Sequence, residues 1–317
     1  MPRHIESHFL NLPLYGQSNC NHRFFIAGMN KLTNILLILV MVMHSSCIQN
    51  GNEDKSDGES YTFFVAGHVY GYRWVDNKGF HPPFREKFDL INARGAEVGV
   101  LLGDIVFECT EEDWNEVDSV LQYLDATTYL AVGNHDLVDR PLFESRYGRT
   151  YYSFIRHSDL FIVLDPYLDN WNISGKQLDF LKQTLANNKD EVRNIYVFFH
   201  QLLWWTKDNK YRKVRVNSLD ERADSINFWS EIEPMFRQTG KPVYMFAGDL
   251  GAGNWVGNYF YDTYDNITFV ATGMGNDNED NFILVHVDEK GNVRFEMISL
   301  MGDDIHGLGK LEDYILP

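Results

Sequence analysis

Five apolar runs in this chain each stop at a residue able to hold a cation. Tyr61-Thr-Phe-Phe-Val-Ala-Gly67 is followed by His68, Leu101-Leu102-Gly103 by Asp104, and the run ending at Val132-Gly133 by Asn134 and His135. Further on, Ile195-Tyr-Val-Phe-Phe199 is followed by His200, and Val243-Tyr-Met-Phe-Ala-Gly248 by Asp249. β-Branched and aromatic residues dominate these runs, so each reads as a buried strand that delivers a polar group to one edge of a sheet. Carboxylate, amide and imidazole ligands gathered at one edge suit a divalent metal ion. A Gly-Asp or Gly-Asn step after a strand is also ordinary turn chemistry. Five in series, each at the same end of a strand, favour a common site over five unrelated turns.

In their order these segments resemble the calcineurin-like metallophosphoesterases, whose pattern runs Asp-x-His, Gly-Asp, Gly-Asn-His-Asp/Glu, a strand-terminal His, then Gly-His-x-His. The middle is a close match: Gly103-Asp104, Gly133-Asn134-His135-Asp136 and His200. Tyr147-Gly148, with Tyr151-Tyr-Ser-Phe154 and Phe161-Ile-Val-Leu-Asp165, is similar to the hairpin of the purple-acid-phosphatase-like branch, as is Thr272-Gly273-Met274-Gly275 near the end. The resemblance covers roughly residues 60 to 300. Both ends of the pattern depart from it. Ala66-Gly67-His68 stands where the family has Asp-x-His, and Gly248-Asp249-Leu250-Gly251 where it has Gly-His-x-His.

Carried over position by position, the resemblance implies one metal held by Asp104 as bridge, Asn134, His200 and Asp249. Asp249 replaces the family's histidine with another group competent for a hard cation. A second metal would use His68 and Asp104 together with positions 66 and 251, whose ligands are gone, so one divalent ion is expected to be firmly bound, with Mn, Fe, Zn and Mg all compatible. His68 is left to contact a substrate phosphate or a weakly held second ion. The implied activity is hydrolysis of a phosphomonoester or phosphodiester by a metal-activated water, whose pKa falls toward ~7. His135 is the expected general acid, and Asp136 is placed beside it in an orienting role. The alternative is a non-catalytic relative that holds a saccharide or surface polymer in the same cleft.

The loops near these ends carry aromatic residues. Trp74 and His81 lie in the long stretch after His68, Trp204 and Trp205 follow His200, and Trp255 follows Asp249. Taken singly, each is more often the edge of a core. As a group they are expected to form a stacking platform for a sugar or base, with His81 also available as a replacement ligand.

The elements that must position these groups alternate regularly after residue 60. Strands are expected at 61–66, 97–102, 127–132, 151–155, 160–164, 194–199, 242–247, 267–271, 281–287 and 293–298. Phe84, Phe88 and Ile91 share one helical face, as do Trp114, Val117, Leu121 and Leu124, with Thr110 and Asp113 spaced as a capping box. Leu178, Leu181 and Leu185 mark a helix with Ser174 as cap, and Ile226, Trp229, Ile232 and Phe236 mark another that ends at Gly240. Helix-strand units early and adjacent strands late predict an α/β fold with two mixed sheets and helices outside. The resemblance implies the same architecture, a four-layer α/β/β/α sandwich over 61–317.

Residues 1–47 are expected to be a signal segment: Lys31 precedes the apolar run Leu32–Met43, too short to span a bilayer. Ser45-Ser46-Cys47 and the polar tether 48–60 are similar to a bacterial lipoprotein signal, which makes Cys47 a candidate lipid anchor in an exported, envelope-located protein. Met29 is then the natural start, and residues 1–28 an upstream extension. Against 28 Lys and Arg stand 45 Asp and Glu, a net charge of −17, which disfavours nucleic acid as a partner. A small-molecule or saccharide-linked phosphoester remains compatible, because a bound cation inverts the local field. Three cysteines, Cys20, Cys47 and Cys109, predict neither a structural disulfide nor a zinc-thiolate site.

Overall fold

A strand that is apolar on both faces must be covered on both faces, and β1 (Tyr61–Ala66) is such a strand, with every side chain but Thr62 buried. In the computed structural model, which describes residues 58–72, 74, 78–275 and 277–317, β1 is central to a five-stranded sheet. It pairs in parallel with β2 (Ala96–Leu102) and antiparallel with β10 (Asn281–Val287). The outer strands are β3 (Thr127–Ala131) and β11 (Val293–Ser299), giving the order β11-β10-β1-β2-β3. The second sheet runs β4-β5-β6-β7-β9-β8. Its parallel centre is β5 (Asp159–Val163), β6 (Ile195–Phe199), β7 (Val243–Leu250) and β9 (Ile267–Gly273), flanked by antiparallel β4 (Tyr152–Arg156) and β8 (Tyr259–Tyr264).

Three apolar layers hold the sandwich together. Between the sheets, Phe63 is fully buried and meets Phe161, Tyr196, Phe198 and Phe246 at ring distances of 4.9–6.3 Å. Truncating such a residue costs ~3–5 kcal/mol through lost transfer and the cavity left behind. On the outer face of the first sheet, Phe64 and Leu101 pack with Phe84, Phe88, Ile91, Trp114 and Val117. On the outer face of the second, Ile162 and Val197 pack with Leu181, Leu185, Phe228, Ile232 and Phe236. The result is the expected α/β/β/α order of layers.

Helices form where the sequence places their caps, with exceptions. The helix Glu111–Leu121 begins in a full capping box: Asp113 N–H donates to Thr110 Oγ1 at 3.2 Å and Thr110 N–H to Asp113 Oδ2 at 3.0 Å. Leu124 lies beyond its end and is buried without being helical. Phe84, Phe88 and Ile91 are all buried but fall on two short helices, Pro82–Arg85 and Phe88–Ala93, rather than one. Ser174 stands at the start of helix Gly175–Asn188 yet makes no cap; its hydroxyl donates to Asp169 Oδ2 at 2.5 Å instead. The helix at Ile226–Phe236 opens in a widened turn, Phe228–Ile232, with Ile232 N–H reaching back to Asn227 O at 3.2 Å, before regular turns over Glu233–Arg237. All ten expected strands form, and β8 is an eleventh that the sequence pattern does not announce.

The expected signal segment, with Lys31 and Cys47, and the tether as far as residue 57 lie outside the described residues. Among the described residues no helix is long and apolar enough to cross a membrane.

Candidate metal centre

The parallel strands β1, β2, β3, β6 and β7 end at one edge of the sandwich, and the glycines at those ends let them approach. A Cβ on Gly103, which sits at φ +82°, would lie 2.6 Å from Gly133 N and 2.7 Å from His200 Nδ1. One on Gly133 would lie 2.2 Å from Asp104 Oδ1. Only hydrogen fits at either position. His68 and Asp104 both adopt a left-handed backbone at φ 51°, a conformation that costs ~1–3 kcal/mol in a residue with a side chain and that gathers at functional sites.

Asp104 is the hub. Its Oδ2 lies 3.5 Å from His68 Nε2 and 3.4 Å from His200 Nε2, and Asp249 Oδ1 lies 3.6 Å from the same His200 nitrogen. Each imidazole is oriented by its other nitrogen: Nδ1–H of His200 donates to Leu102 O at 2.7 Å, and that of His68 to Met274 O at 3.0 Å. Carbonyls only accept, so both Nε2 lone pairs face the Asp104 carboxylate. His68 Nε2, Asp104 Oδ2 and His200 Nε2 are buried and have no hydrogen-bond partner among the described residues. Buried polar atoms are rarely left unpaired, and lone pairs converging on a carboxylate oxygen call for a cation between them. The ligand atoms of Asp104, His200 and Asp249 lie within 4.8 Å of one another, all buried, so these residues fit a divalent ion, with the orienting carbonyls that metal-bound histidines require.

The electrostatics follow. Burial alone would lower the His200 imidazole, but the carboxylates of Asp104 and Asp249 outweigh it and push it up to about 10. Burial likewise works to raise Asp104, and His200 holds it well below the usual carboxylate range instead. Burial raises Asp249 to about 6, with His200 opposing it, and burial lowers His68 to about 4, with Asp104 opposing it.

Two supporting residues come from loops that the sequence pattern leaves unmarked. A β-bulge in β7 turns Gly248 and Asp249 inward, both N–H groups donating to His200 O at 2.9 Å. Asn217 Nδ2 then donates to Asp249 Oδ1 at 3.0 Å, assisted by the backbone N–H of Ser218. Tyr167 donates its hydroxyl to Asn134 Oδ1 at 3.0 Å, which fixes which way that amide faces. Only the three-dimensional pairing reveals either residue.

His135 follows Asn134, its N–H bonded to Asp104 Oδ1 at 3.1 Å. Nδ1–H donates to Phe107 O at 2.7 Å, the ring stacks on Phe107 at 5.0 Å, and Nε2 lies 3.4 Å from the Tyr70 hydroxyl. Asp136 points elsewhere. It is fully buried and accepts from Ile105 N–H at 2.8 Å, Val106 N–H at 3.1 Å and Gly133 N–H at 2.8 Å. The orienting role expected beside His135 is therefore corrected: both Asp136 oxygens are taken by backbone amides, so it does not act on the imidazole but clasps the turns after Gly103 and Gly133 together.

The other half of the expected pattern is closed. Gly251 sits at φ +79°, and a Cβ there would lie 2.3 Å from both Gly273 C and Met274 N. Main chain occupies the space a fourth ligand at 251 would need, and Ala66 is fully buried.

The aromatic platform also needs correction. Trp204 is a core residue, fully buried and stacked on Phe269 at 4.7 Å and Phe260 at 5.7 Å. Trp205 is half-buried, with Nε1–H donating to Val214 O at 3.3 Å. His81 is buried with Nε2 3.5 Å from Asp280 Oδ2, outside the ligand cluster. Trp204 packs into the outer core of the second sheet, so proximity in sequence to His200 did not mean exposure. Trp74 and Trp255 alone of the five remain on the surface, 71% and 49% exposed.

The fold is similar to that of a dimetal phosphatase from Danio rerio, with 14% identity and a TM-score of 0.55, over 75% of this chain and 95% of that one. A purple acid phosphatase from yellow lupin (Lupinus luteus) seeds aligns with 12% identity and a TM-score of 0.56, over 76% of this chain and 52% of the lupin chain, about half its length. No protein-family model and no curated protein matches the sequence. The chain shares the fold of these two phosphatases, with two mixed sheets flanked by helices.

Proposed function

We propose that the protein is a metal-dependent phosphoesterase that works with one firmly held ion. The observation that carries this reading is the buried convergence of Asp104, His200 and Asp249, with Asp104 Oδ2 and His200 Nε2 left without a hydrogen-bond partner among the described residues. Asn134, oriented by Tyr167, completes the ligand set. A divalent ion bound there would supply Lewis acidity toward a phosphoryl oxygen and lower the pKa of water toward ~7.

The chain's own residues do the rest. Asp104 ties the site to His135 through the backbone bond that sets the imidazole's position. With Nδ1–H committed to Phe107 O, the proton His135 can give sits on Nε2, the atom facing Tyr70. That geometry suits a general acid that protonates a leaving oxygen. His68, with its Nε2 lone pair turned toward Asp104, is the group that a second, weakly held ion would use. We also propose export to the bacterial envelope, anchored through Cys47.

The test is elemental analysis of protein equilibrated with Mn²⁺, together with turnover of an aryl phosphate before and after chelation. One equivalent of ion and chelator-sensitive turnover support the proposal. Negligible metal with no turnover of monoester or diester sinks it.

A further inference from the structure

Eight large apolar side chains are well exposed among the described residues, and five of them, Trp74, Val138, Leu168, Leu219 and Trp255, lie on loops that leave the metal edge. Val138 ends the turn begun by Asn134 and His135. Leu168 is next to Tyr167, whose hydroxyl is on Asn134, and Leu219 is two residues past Asn217, whose amide is on Asp249. Trp255 and Trp74 are carried by the loops that follow Asp249 and His68. Three of these loops are joined to one another. Ala223 N–H donates to Asn170 O at 3.1 Å, Trp171 Nε1–H to Asp220 O at 3.1 Å, and Gly257 N–H to Arg215 O at 2.9 Å. Exposed apolar side chains on the loops that frame a site itself wholly polar are candidates for a contact surface.

What meets that surface follows from the chemistry, given the phosphoesterase reading on which this inference rests. The alcohol of a phosphoester is one oxygen away from phosphorus, so it must lie at the mouth when phosphorus is at the metal. Asp220, Glu221 and Asp224 stand on the same loop as Leu219, and Arg222 among them is turned to Ala223 O, Trp205 O and the Trp171 ring, so a second phosphate or a polyanion would meet carboxylates there. Val138, Leu168 and Leu219 offer a sugar no hydrogen bonds. We propose that the substrate is an amphiphilic phosphoester whose alcohol carries an alkyl chain or alkyl-substituted ring, held by this rim. In the reaction the oxygen of water bonds to phosphorus, and the P–O bond to the alcohol breaks with its electron pair on the alcohol oxygen. That oxygen takes the proton from His135, and the proton shed by water returns to His135 through solvent.

The experiment uses the full chain loaded with Mn²⁺ and a series of alkyl phosphates from ethyl to octyl, with glycerol phosphate and a hexose phosphate as hydrophilic comparisons. We expect kcat/KM to rise about threefold per methylene that reaches the rim, and both hydrophilic esters to be poor. Leu168→Ser combined with Leu219→Ser, and separately Trp255→Ala, should flatten the slope, with melting temperature reporting that the variants fold. Tyr123→Ser combined with Ile155→Ser, exposed positions away from the metal edge, should leave it intact. A flat series, or a hexose phosphate preferred over octyl phosphate, overturns the inference while aryl phosphate turnover keeps the phosphoesterase reading alive. Failure to bind Mn²⁺ and to turn over any ester overturns both. Binding to phosphatidylcholine vesicles, or a concentration-dependent dimer lost in the Trp255 variant, with a flat series would assign the rim to a bilayer or a second copy and overturn it too.

Discussion

The two halves of the metal edge differ in what stands behind their ligand positions. On one side Asp104, Asn134, His200 and Asp249 each have a partner that orients them: the left-handed turn after Gly103, the Tyr167 hydroxyl, the Leu102 carbonyl and the Asn217 amide. On the other side only His68 remains, with main chain from Gly273 and Met274 against position 251. Asp249 has its own support from Asn217 and Ser218, whereas no side chain fits at 251 without moving two strands. The contrast teaches that two positions departing alike from a resembled pattern can differ in structure, one held by a built clasp and the other filled by main chain.

The most damaging change on the intact side should be Asp104→Ala. It removes the oxygen that faces both imidazoles, so bound metal should disappear. A wild type saturated at a hundred times its Kd gains ~2.7 kcal/mol from Mn²⁺, and melting with and without the ion should show no such gain in the variant. If the variant keeps a full equivalent, Asp104 is not the hub.

His135→Ala attacks catalysis without touching a ligand, and should lower the rate ~10²–10⁴-fold at unchanged metal content. The loss should be smaller for esters with good leaving groups, which need less proton donation. An equal loss across all leaving groups would count against the general-acid role.

Asn217→Ala and Tyr167→Phe probe the supports. Loss of a group that orients a ligand typically weakens metal binding ~10–100-fold, which a Mn²⁺ titration would read, and Asn217→Asp should not rescue because it sets two carboxylates against each other. Titrations that match the wild type would mean that the clasp is incidental.

The smallest effect on metal is expected from the closed side. His68→Ala should retain one equivalent, and Gly251→His should not add a second, because its Cβ meets backbone at 2.3 Å and the positive φ resists any side chain. The melting temperature of Gly251→His should fall. A second ion in that variant would show that the closed half can reopen.

Much of the layer order and of the ligand set was legible because both rest on local patterns. A strand buried on both faces must be apolar along its length, and the residue after its terminal glycine is exposed to the edge by chain direction alone. That is enough to point to Asp104, His200 and Asp249, the three whose ligand atoms lie within 4.8 Å of one another. The capping box at Thr110 was legible for the same reason, its partners being three residues apart. β8 was harder to see: in Tyr259–Tyr264 only Phe260 is buried, and among the described residues this edge strand pairs with β9 alone.

Sequence by itself determined ten of the eleven strands and the chemical type of the residue at each of their shared ends, since these depend on propensity, periodicity and covalent order. Tertiary structure alone decided that Asp136 spends both oxygens on backbone amides, that Trp204 faces the core and that His81 faces Asp280. It also decided that Asn217 and Tyr167 reach the site across 32 and 33 residues of chain. The physical reason is that a side chain's partner is set by which loops pack together, and a hydrogen bond spanning that much sequence leaves no trace in the pattern around either residue.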